Sequence, residues 1–327
     1  MKVLITGATG FLGSSLIKRL RLRGHTVRAF ARPSERSERL AQLGFEVAHG
    51  DVREADSVRQ AAQGCDVVVH LAALYRSEGV PLELFRQINT EGTRNVVQAC
   101  AQEQVHRLVH VSTVGVYGKL STIPAAETHP YGPEDHYQRT KLEGELIVRQ
   151  AAARELKGRV VIVRPTGVYG PGDRRFLKLF RAIAHGGMVI PGPAKAFYHP
   201  TYIDDFLDGM ELMLTQPKAL GQIYNLAGPR YMPMREYLAT IARSLEVAQP
   251  RWHVPLWPLK AAAHVCEHVC RAIGVEPPIY PRRLGFFYFD RAFSTEKASR
   301  ELGFSPRVEL AEGACRTGKW FLDEGLI

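Results

Sequence analysis

The chain has 327 residues, of which 45% are hydrophobic and 23% charged, and its formal net charge is +10. That composition gives a globular protein with room for a large core and two domains, and it excludes a repetitive or low-complexity chain. No apolar run reaches transmembrane length, and the arginines are dispersed without a basic block or a nucleic-acid motif, so the excess charge points to an anionic cofactor and a basic surface rather than to nucleic acid. Cys65, Cys100, Cys266, Cys270 and Cys315 are an odd, scattered set, which fits reduced thiols in the cytoplasm. The first residues enter a strand at once, so no signal peptide is expected.

Val3, Leu4 and Ile5 read as a buried parallel strand. Gly7, Gly10 and Gly13 follow as GxxGxxG, a variant of the GxGxxG fingerprint, and open a helix over 11–23 that stops at Gly24. Glycines there allow a tight turn and let the backbone approach a pyrophosphate, whose charge is stabilised at a helix N-terminus; a corner that needs glycine for geometry alone is the other reading. The second strand, 26–31, ends at Arg32. An acid in this neighbourhood reads the ribose 2′-hydroxyl of NAD, whereas an arginine accommodates a 2′-phosphate, so NADP(H) is expected as the cofactor and NAD(H) is the alternative.

Further strands are expected at 45–48, leading to Asp51 and Val52, and at 66–70, running into Leu71, Ala72 and Ala73. Two more are expected at 107–112, ending at Thr113, and at 159–164, just before Pro165. A helix is expected over 82–104, and Asp135 caps another through Ala153 with Gln138 at the reciprocal position. A helix over 202–215 and a strand over 222–226 come later. Strands alternating with helices give an α/β fold with a Rossmann-type, doubly wound parallel sheet that binds ligands at its strand C-termini. The expected division is a dinucleotide-binding domain of 1–170 plus 197–228 and a smaller, mostly helical substrate domain of 171–196 plus 229–327.

Tyr137 and Lys141 lie one helical turn apart on one face. A free tyrosine titrates near 10, too high for a base at neutral pH, and a neighbouring ammonium favours the phenolate. The pair can therefore move a proton to or from a substrate oxygen, and Thr113 can hydrogen-bond that oxygen.

TGATGFLG at 6–13, Asp51-Val52, HLAA at 70–73, INTEGT around Asn89, VSTVGVYG at 111–118, YQRTK at 137–141, RPTGVYGPGD at 164–173 and YIDD at 202–205 occur in this order. Along most of its length the chain resembles the extended short-chain dehydrogenase/reductase superfamily. The resemblance implies that Tyr137 transfers the proton, that Lys141 binds the nicotinamide ribose and tunes the tyrosine, and that Thr113 steadies the substrate oxygen. It also implies a cofactor site in which Gly7, Thr9, Gly10, Phe11 and Leu12 line the pyrophosphate and Asp51 and Val52 hold the adenine edge. Leu71, Ala72 and Ala73 would pass beneath the cofactor, and Pro165 and Val168 would flank the carboxamide. Asn89 would tie strands together. The helices at 83–103 and 137–153, carrying Val96, Val97, Leu142, Leu146 and Ile147, would pair two copies as a homodimer.

Nucleotide-sugar members of the superfamily place an asparagine where this chain has Gly167, and often an arginine before the V-D-D-like motif, where this chain reads AFYHPTYIDD. HPTYIDD and the FSTEKASRELGFSPR ending at Arg307 are similar to 3β-hydroxysteroid and sterol-4α-carboxylate dehydrogenases, and ARPSE after the second strand to dihydroflavonol-4-reductase-like enzymes. The expected function is therefore an NADP(H)-dependent oxidoreductase interconverting a secondary alcohol and a ketone on an apolar substrate of steroid, flavonoid or long-chain type. A nucleotide-sugar epimerase or dehydratase is the alternative. A non-catalytic NADP(H)-binding sensor is a further one, against which the Tyr-Lys pair argues. The expected partners are that apolar small molecule and at most a peripheral membrane contact. His264 to His268 match a zinc-peptidase HxxEH pattern, but they share a helix face with Lys260, and no metal is expected. Trp252 and Trp257 read either as packing in the small domain or as an apolar lip at an entrance.

Overall fold

A computed structural model of the chain describes residues 1–75, 79–272, 275 and 284–327. The sheet is built from β1 (Lys2–Thr6), β2 (Thr26–Ala31), β3 (Glu46–His49), β4 (Val67–His70), β5 (Arg107–Val111), β6 (Val160–Pro165) and, late in the chain, Gln222–Leu226. It has seven strands, all parallel, with β1 between β2 and β4 and the late strand at the edge beyond β6. Alternate residues of β1 enter different cores. Val3 and Ile5 pack on one face with Leu16 and Leu20 of α1 (Phe11–Leu22), and Leu4 packs on the other. Helices cover both faces, so the strands read as continuous apolar runs rather than alternating ones.

After α2 (Glu35–Gln42) and α3 (Ala55–Ala62), the expected helix over 82–104 forms in three pieces. These are α4 (Leu82–Phe85), a π turn over Arg86–Glu91 and α5 (Gly92–Gln102). The π turn lies where the helix passes close to Val52, whose side chain sits 2.9 Å from where a Cβ on Gly92 would be. It presents Asn89 to the segment after β4: the Asn89 amide bonds both the Leu74 N–H (2.7 Å) and its carbonyl (3.1 Å). Asn89 therefore ties a loop, not strands, and reaches Thr140 at 3.0 Å on the far side. π turns of this kind are frequent at functional sites.

α6 (His136–Ala153) starts as its cap residues predict. The Asp135 carboxylate accepts from Gln138 N at 2.7 Å, but the Gln138 amide oxygen turns back to Glu134 N rather than to Asp135 N. β7 (Gly167–Tyr169) follows β6, then α7 (Leu177–Ala184), β8 (Val189–Pro191), β9 (Phe197–Tyr198), β10 (Pro200–Tyr202) and α8 (Ile203–Thr215). The late sheet strand is β11, followed by β12 (Met232–Pro233), α9 (Met234–Ser244), β13 (Trp252–Val254), α10 (Leu256–Ala272), α11 (Glu296–Leu302) and α12 (Leu310–Asp323). Small two-stranded pairings, β10 with β7, β12 with β9 and β13 with β8, fasten these segments above the C-terminal ends of β4 to β6. Of the apolar groups expected to face a second copy, Val96 and Val97 are buried within the chain, while Leu146 is 46% exposed. The end of the 252–274 stretch singled out in the sequence lies outside the described residues.

One interior cluster pins α6 to the sheet. Arg164 on β6 and Glu145 on α6 are fully buried and paired, with Nε to Oε2 at 3.0 Å and Nη2 to Oε1 at 2.5 Å. The remaining guanidinium donors reach the Tyr117 hydroxyl (2.6 Å), the Glu127 carbonyl (3.0 Å) and the Tyr131 hydroxyl (2.7 Å). Burial alone would lower the basicity of Arg164, but the Glu145 carboxylate outweighs it and holds the guanidinium above its ordinary value. Removing one partner leaves an uncompensated buried charge. Glu145→Ala is therefore expected to cost about 3–5 kcal/mol, read as a loss of urea midpoint at unchanged slope; a loss within measurement error would show that the pair holds nothing.

Candidate functional site

The corner between β1 and α1 is shaped by its glycines. Gly7 adopts φ +71°, and a Cβ there would meet Ala72 N at 2.7 Å and Leu71 C at 2.9 Å, so a side chain would push away the strap that follows β4. A Cβ on Gly13 would strike the Gly7 carbonyl, so α1 can pack this close only with glycine there. Gly10 caps α1 without a side chain, and the first turn, beginning Phe11-Leu12, holds no acid. The leading N–H groups of the helix are thus left for an anion, with Thr9 beside them.

The strap Leu71-Ala72-Ala73 is fixed at both ends. The Thr6 hydroxyl accepts from Ala72 N at 3.2 Å and donates to His70 Nδ1 at 2.8 Å. The Thr93 hydroxyl donates to the Asn89 carbonyl at 2.7 Å, so at 3.0 Å it accepts from His70 Nε2. These bonds require neutral His70 with its proton on Nε2, and burial agrees, pushing its pKa down to about 3. Asn89 holds the other end of the strap through Leu74. His110 stacks near His70 at 5.4 Å between ring centres, and burial, with Lys141 as the next cause, keeps it neutral too.

Lys141 is buried on α6, and its ammonium donates to the Val111 carbonyl at the end of β5 at 2.7 Å. Desolvation lowers its pKa to about 8, opposed by Glu145. One turn earlier on α6, the Tyr137 ring meets Tyr75 edge-on at 5.0 Å. Thr113, next after buried Ser112, accepts from Gly115 N at 3.1 Å and starts the 3-10 turn Val114–Tyr117, so its hydroxyl is oriented at the end of β5. Pro165 ends β6, and Val168 is buried in β7. Sequence reading missed Arg175, which lies across this edge. Its guanidinium binds Asp173 at 2.8 and 3.0 Å and the Val168 carbonyl at 2.6 Å, and faces the rings of Phe11 and Tyr75, each at 5.5 Å. The signal for it was a D-x-R immediately after the Gly170–Gly172 turn.

At the other end, Val52 is buried and its carbonyl accepts from Asn95 at 2.8 Å. Asp51 is gripped by Arg53 through three bonds of 2.9 to 3.1 Å. That grip, and more weakly the charge of Arg32, holds its carboxyl below the usual range. Arg32 itself is exposed.

Comparison with known proteins finds the NAD dependent epimerase/dehydratase family over residues 3–227. A ketoreductase of Stigmatella aurantiaca, named for a farnesylated dihydroquinoline oxide, is 28% identical over 96% of this chain and 94% of its own. UDP-glucose 4-epimerase of Vibrio cholerae is 29% identical over 98% and 95%. The crystal structure of DesIV, a dTDP-glucose 4,6-dehydratase from Streptomyces venezuelae with NAD bound, superposes with a TM-score of 0.78 at 25% identity, covering 100% of both chains.

These findings correct three expectations. The expectation of NADP(H) is not supported: the family is described by NAD, and DesIV holds NAD. The single arginine read as a 2′-phosphate site stands exposed with Asp51 close enough to feel its charge, and a carboxylate there repels an added phosphate. The activity supported is that of a nucleotide-sugar epimerase or dehydratase, not an oxidoreductase of steroid, flavonoid or long-chain substrates. The expectation of an apolar partner is likewise overturned, since the substrates named for these relatives are polar nucleotide sugars, and among the described residues no helix is long and apolar enough to cross a membrane. With its parallel sheet, glycine corner and matched residues 3–227, this chain is an enzyme of the extended short-chain dehydrogenase/reductase superfamily and belongs to its NAD dependent epimerase/dehydratase family.

Proposed function

We propose that this protein is an NAD(H)-dependent epimerase or dehydratase of a sugar joined to a nucleoside diphosphate. The observation that carries the reading is the buried Lys141 ammonium on the Tyr137 face of α6, bonded to the Val111 carbonyl at the end of β5, two residues before Thr113. Gly7, Thr9, Gly10, Phe11 and Leu12 would take the pyrophosphate on the α1 N-terminus. Asp51 and Val52 would border the adenine, the strap Leu71-Ala72-Ala73 would lie beneath, and Pro165 and Val168 would flank the carboxamide. NAD held there would supply a reversible hydride acceptor for the sugar. The protein's part is the proton. Tyr137, as phenolate, takes the proton of the sugar hydroxyl whose carbon is oxidised, and gives it back to the ketone oxygen in the reverse half. Thr113 hydrogen-bonds that oxygen. With a pKa of about 8, Lys141 is mostly charged at neutral pH. An ammonium buried beside a phenol stabilises the phenolate far more than a solvated one does. With the hydride returned, turnover would leave the cofactor unchanged overall.

Incubation of the NAD-loaded protein with UDP-glucose, UDP-N-acetylglucosamine, UDP-glucuronic acid and dTDP-glucose, with products separated by chromatography, tests the reading. Conversion of a member of this set without net NADH formation is expected; no conversion of any member overturns it. Tyr137→Phe keeps the ring and removes the ionisable oxygen, so turnover should fall at least about 10²-fold with NAD affinity little changed. A folded variant with near wild-type turnover would refute the proton-transfer role.

Lys141 makes a second test through pH. Its pKa is about 8 in the folded chain against a reference of 10.5. Between those values the unfolded chain binds more protons, so stability rises with pH across this window, by about 3 kcal/mol in all. Lys141→Met has no such group and should lack that rise when urea midpoints are compared at both ends of the window. NAD affinity should decline as pH passes about 8, because the charged form is the donor to the ribose. Parallel pH curves for wild type and Lys141→Met would contradict both statements.

A further inference from the structure

Gly167 opens β7 without a side chain, yet the space a side chain would take is occupied. The Tyr198 hydroxyl lies in contact with the position of a Cβ on Gly167, and the Phe176 ring comes within 3.7 Å of it. Tyr198 is buried, and its ring is fixed edge-on by Tyr237 at 4.8 Å and by Phe286 at 4.9 Å. Buried phenols normally find a hydrogen-bond partner. Among the described residues this hydroxyl has no hydrogen-bond partner. Its polar neighbours are Arg291, Tyr75, Arg175 and Asp173. Arg175 and Asp173 are committed to each other, and Arg175 also to the Val168 carbonyl. Tyr75 in turn meets Tyr137. The hydroxyl therefore stands over Gly167 of β7, near enough to Tyr75 and Arg175 to feel their charge, without a hydrogen-bond partner among the described residues.

We infer that the Tyr198 hydroxyl binds the sugar of the substrate over Gly167, so that β9 supplies the polar group that a side chain at position 167 would otherwise present. This rests on the nucleotide-sugar reading and adds a specificity-determining residue to it. Gly167 and Tyr198 act as one unit: the absence of a side chain on one strand makes room for the phenol of the other. The group reads the sugar and not the nucleotide, because Gly167 adjoins Val168 and Pro165 at the carboxamide end, away from Asp51 and Val52.

Tyr198→Phe tests this in the full-length, NAD-loaded protein, with whichever sugar nucleotide of the set above the wild type converts and with the matching free nucleoside diphosphate. KM for the sugar nucleotide should rise about tenfold while kcat stays within about twofold, the pattern of lost substrate binding. Affinity for the free nucleoside diphosphate, measured by calorimetry, should not change. Gly167→Ala should lower Tm, and should lower it less in the Tyr198→Phe background, where the colliding oxygen is gone. Equal losses for the sugar nucleotide and the free diphosphate would make Tyr198 a packing residue, and an unchanged KM would remove it from the site; either result overturns the inference and leaves the proposed activity standing. A Tyr198→Phe protein that fails to fold also overturns it, since an unpartnered hydroxyl cannot hold the fold. If the wild type converts no sugar nucleotide of the set, the activity falls first and this inference with it.

Discussion

A fully buried arginine and glutamate hold the reactive edge together. A buried ion pair repays its desolvation only when every donor is satisfied. Here all five guanidinium N–H groups of Arg164 are used, on Glu145, Tyr117, Tyr131 and the Glu127 carbonyl. Tyr117 passes the bond on to Asn225 of β11 at 2.8 Å. The cluster thus joins β6, α6, β11 and the turn after β5, the elements that carry Pro165, Tyr137, Lys141 and Thr113. A slide of α6 against the sheet would break several charge-assisted bonds together, so Tyr137, Lys141 and Thr113 keep their height relative to the strand ends.

The same pair sets the electrostatics. Glu145 lies one helical turn beyond Lys141 and raises its pKa against desolvation, but its carboxylate oxygens are taken up by Arg164 and Tyr131. The Lys141 ammonium donates to the backbone carbonyl of Val111 rather than to a carboxylate. Below it His70 and His110 are neutral, because burial and the nearby ammonium both disfavour a second charge. An ammonium bonded to a carbonyl rather than to a carboxylate is a local source of positive potential, which is what a phenol needs in order to lose its proton at neutral pH. The tension shows in Lys141 itself, whose own charge is held at a cost.

How much of this was legible in the sequence follows from the range of each interaction. The strands, α1 and α6 could be read because apolar runs, the glycine corner and the Asp135 cap are local signals; β2 and β11 match residue for residue. The Tyr137–Lys141 spacing was legible for the same reason. The π turn was not, since it answers to Val52 and Leu74, which lie far from it in the chain. Arg175 was missed because its partners include Phe11 and Tyr75. Arg32 misled for the converse reason: a single arginine was given a meaning that depends on Asp51, across the sheet edge. Trp252 and Trp257, left open between packing and an exposed lip, are 75% and 78% exposed.

The substrate was misread through short local likenesses. The missing asparagine and arginine, with HPTYIDD, FSTEKASRELGFSPR and ARPSE, suggested an apolar ligand. Yet a tyrosine is apolar along its ring and polar at its tip, and which end a site presents depends on how the ring is held. Tyr237 and Phe286 hold the Tyr198 ring by its flanks, which sends the hydroxyl toward Gly167 and leaves the ring in the core. The wall is therefore polar where it meets a ligand and apolar behind. A sugar suits such a wall, since its C–H faces lie against rings while its hydroxyls seek phenol, backbone and threonine oxygens. Gly167 marks a place where the polar group comes from another strand, and no reading of position 167 alone can find it.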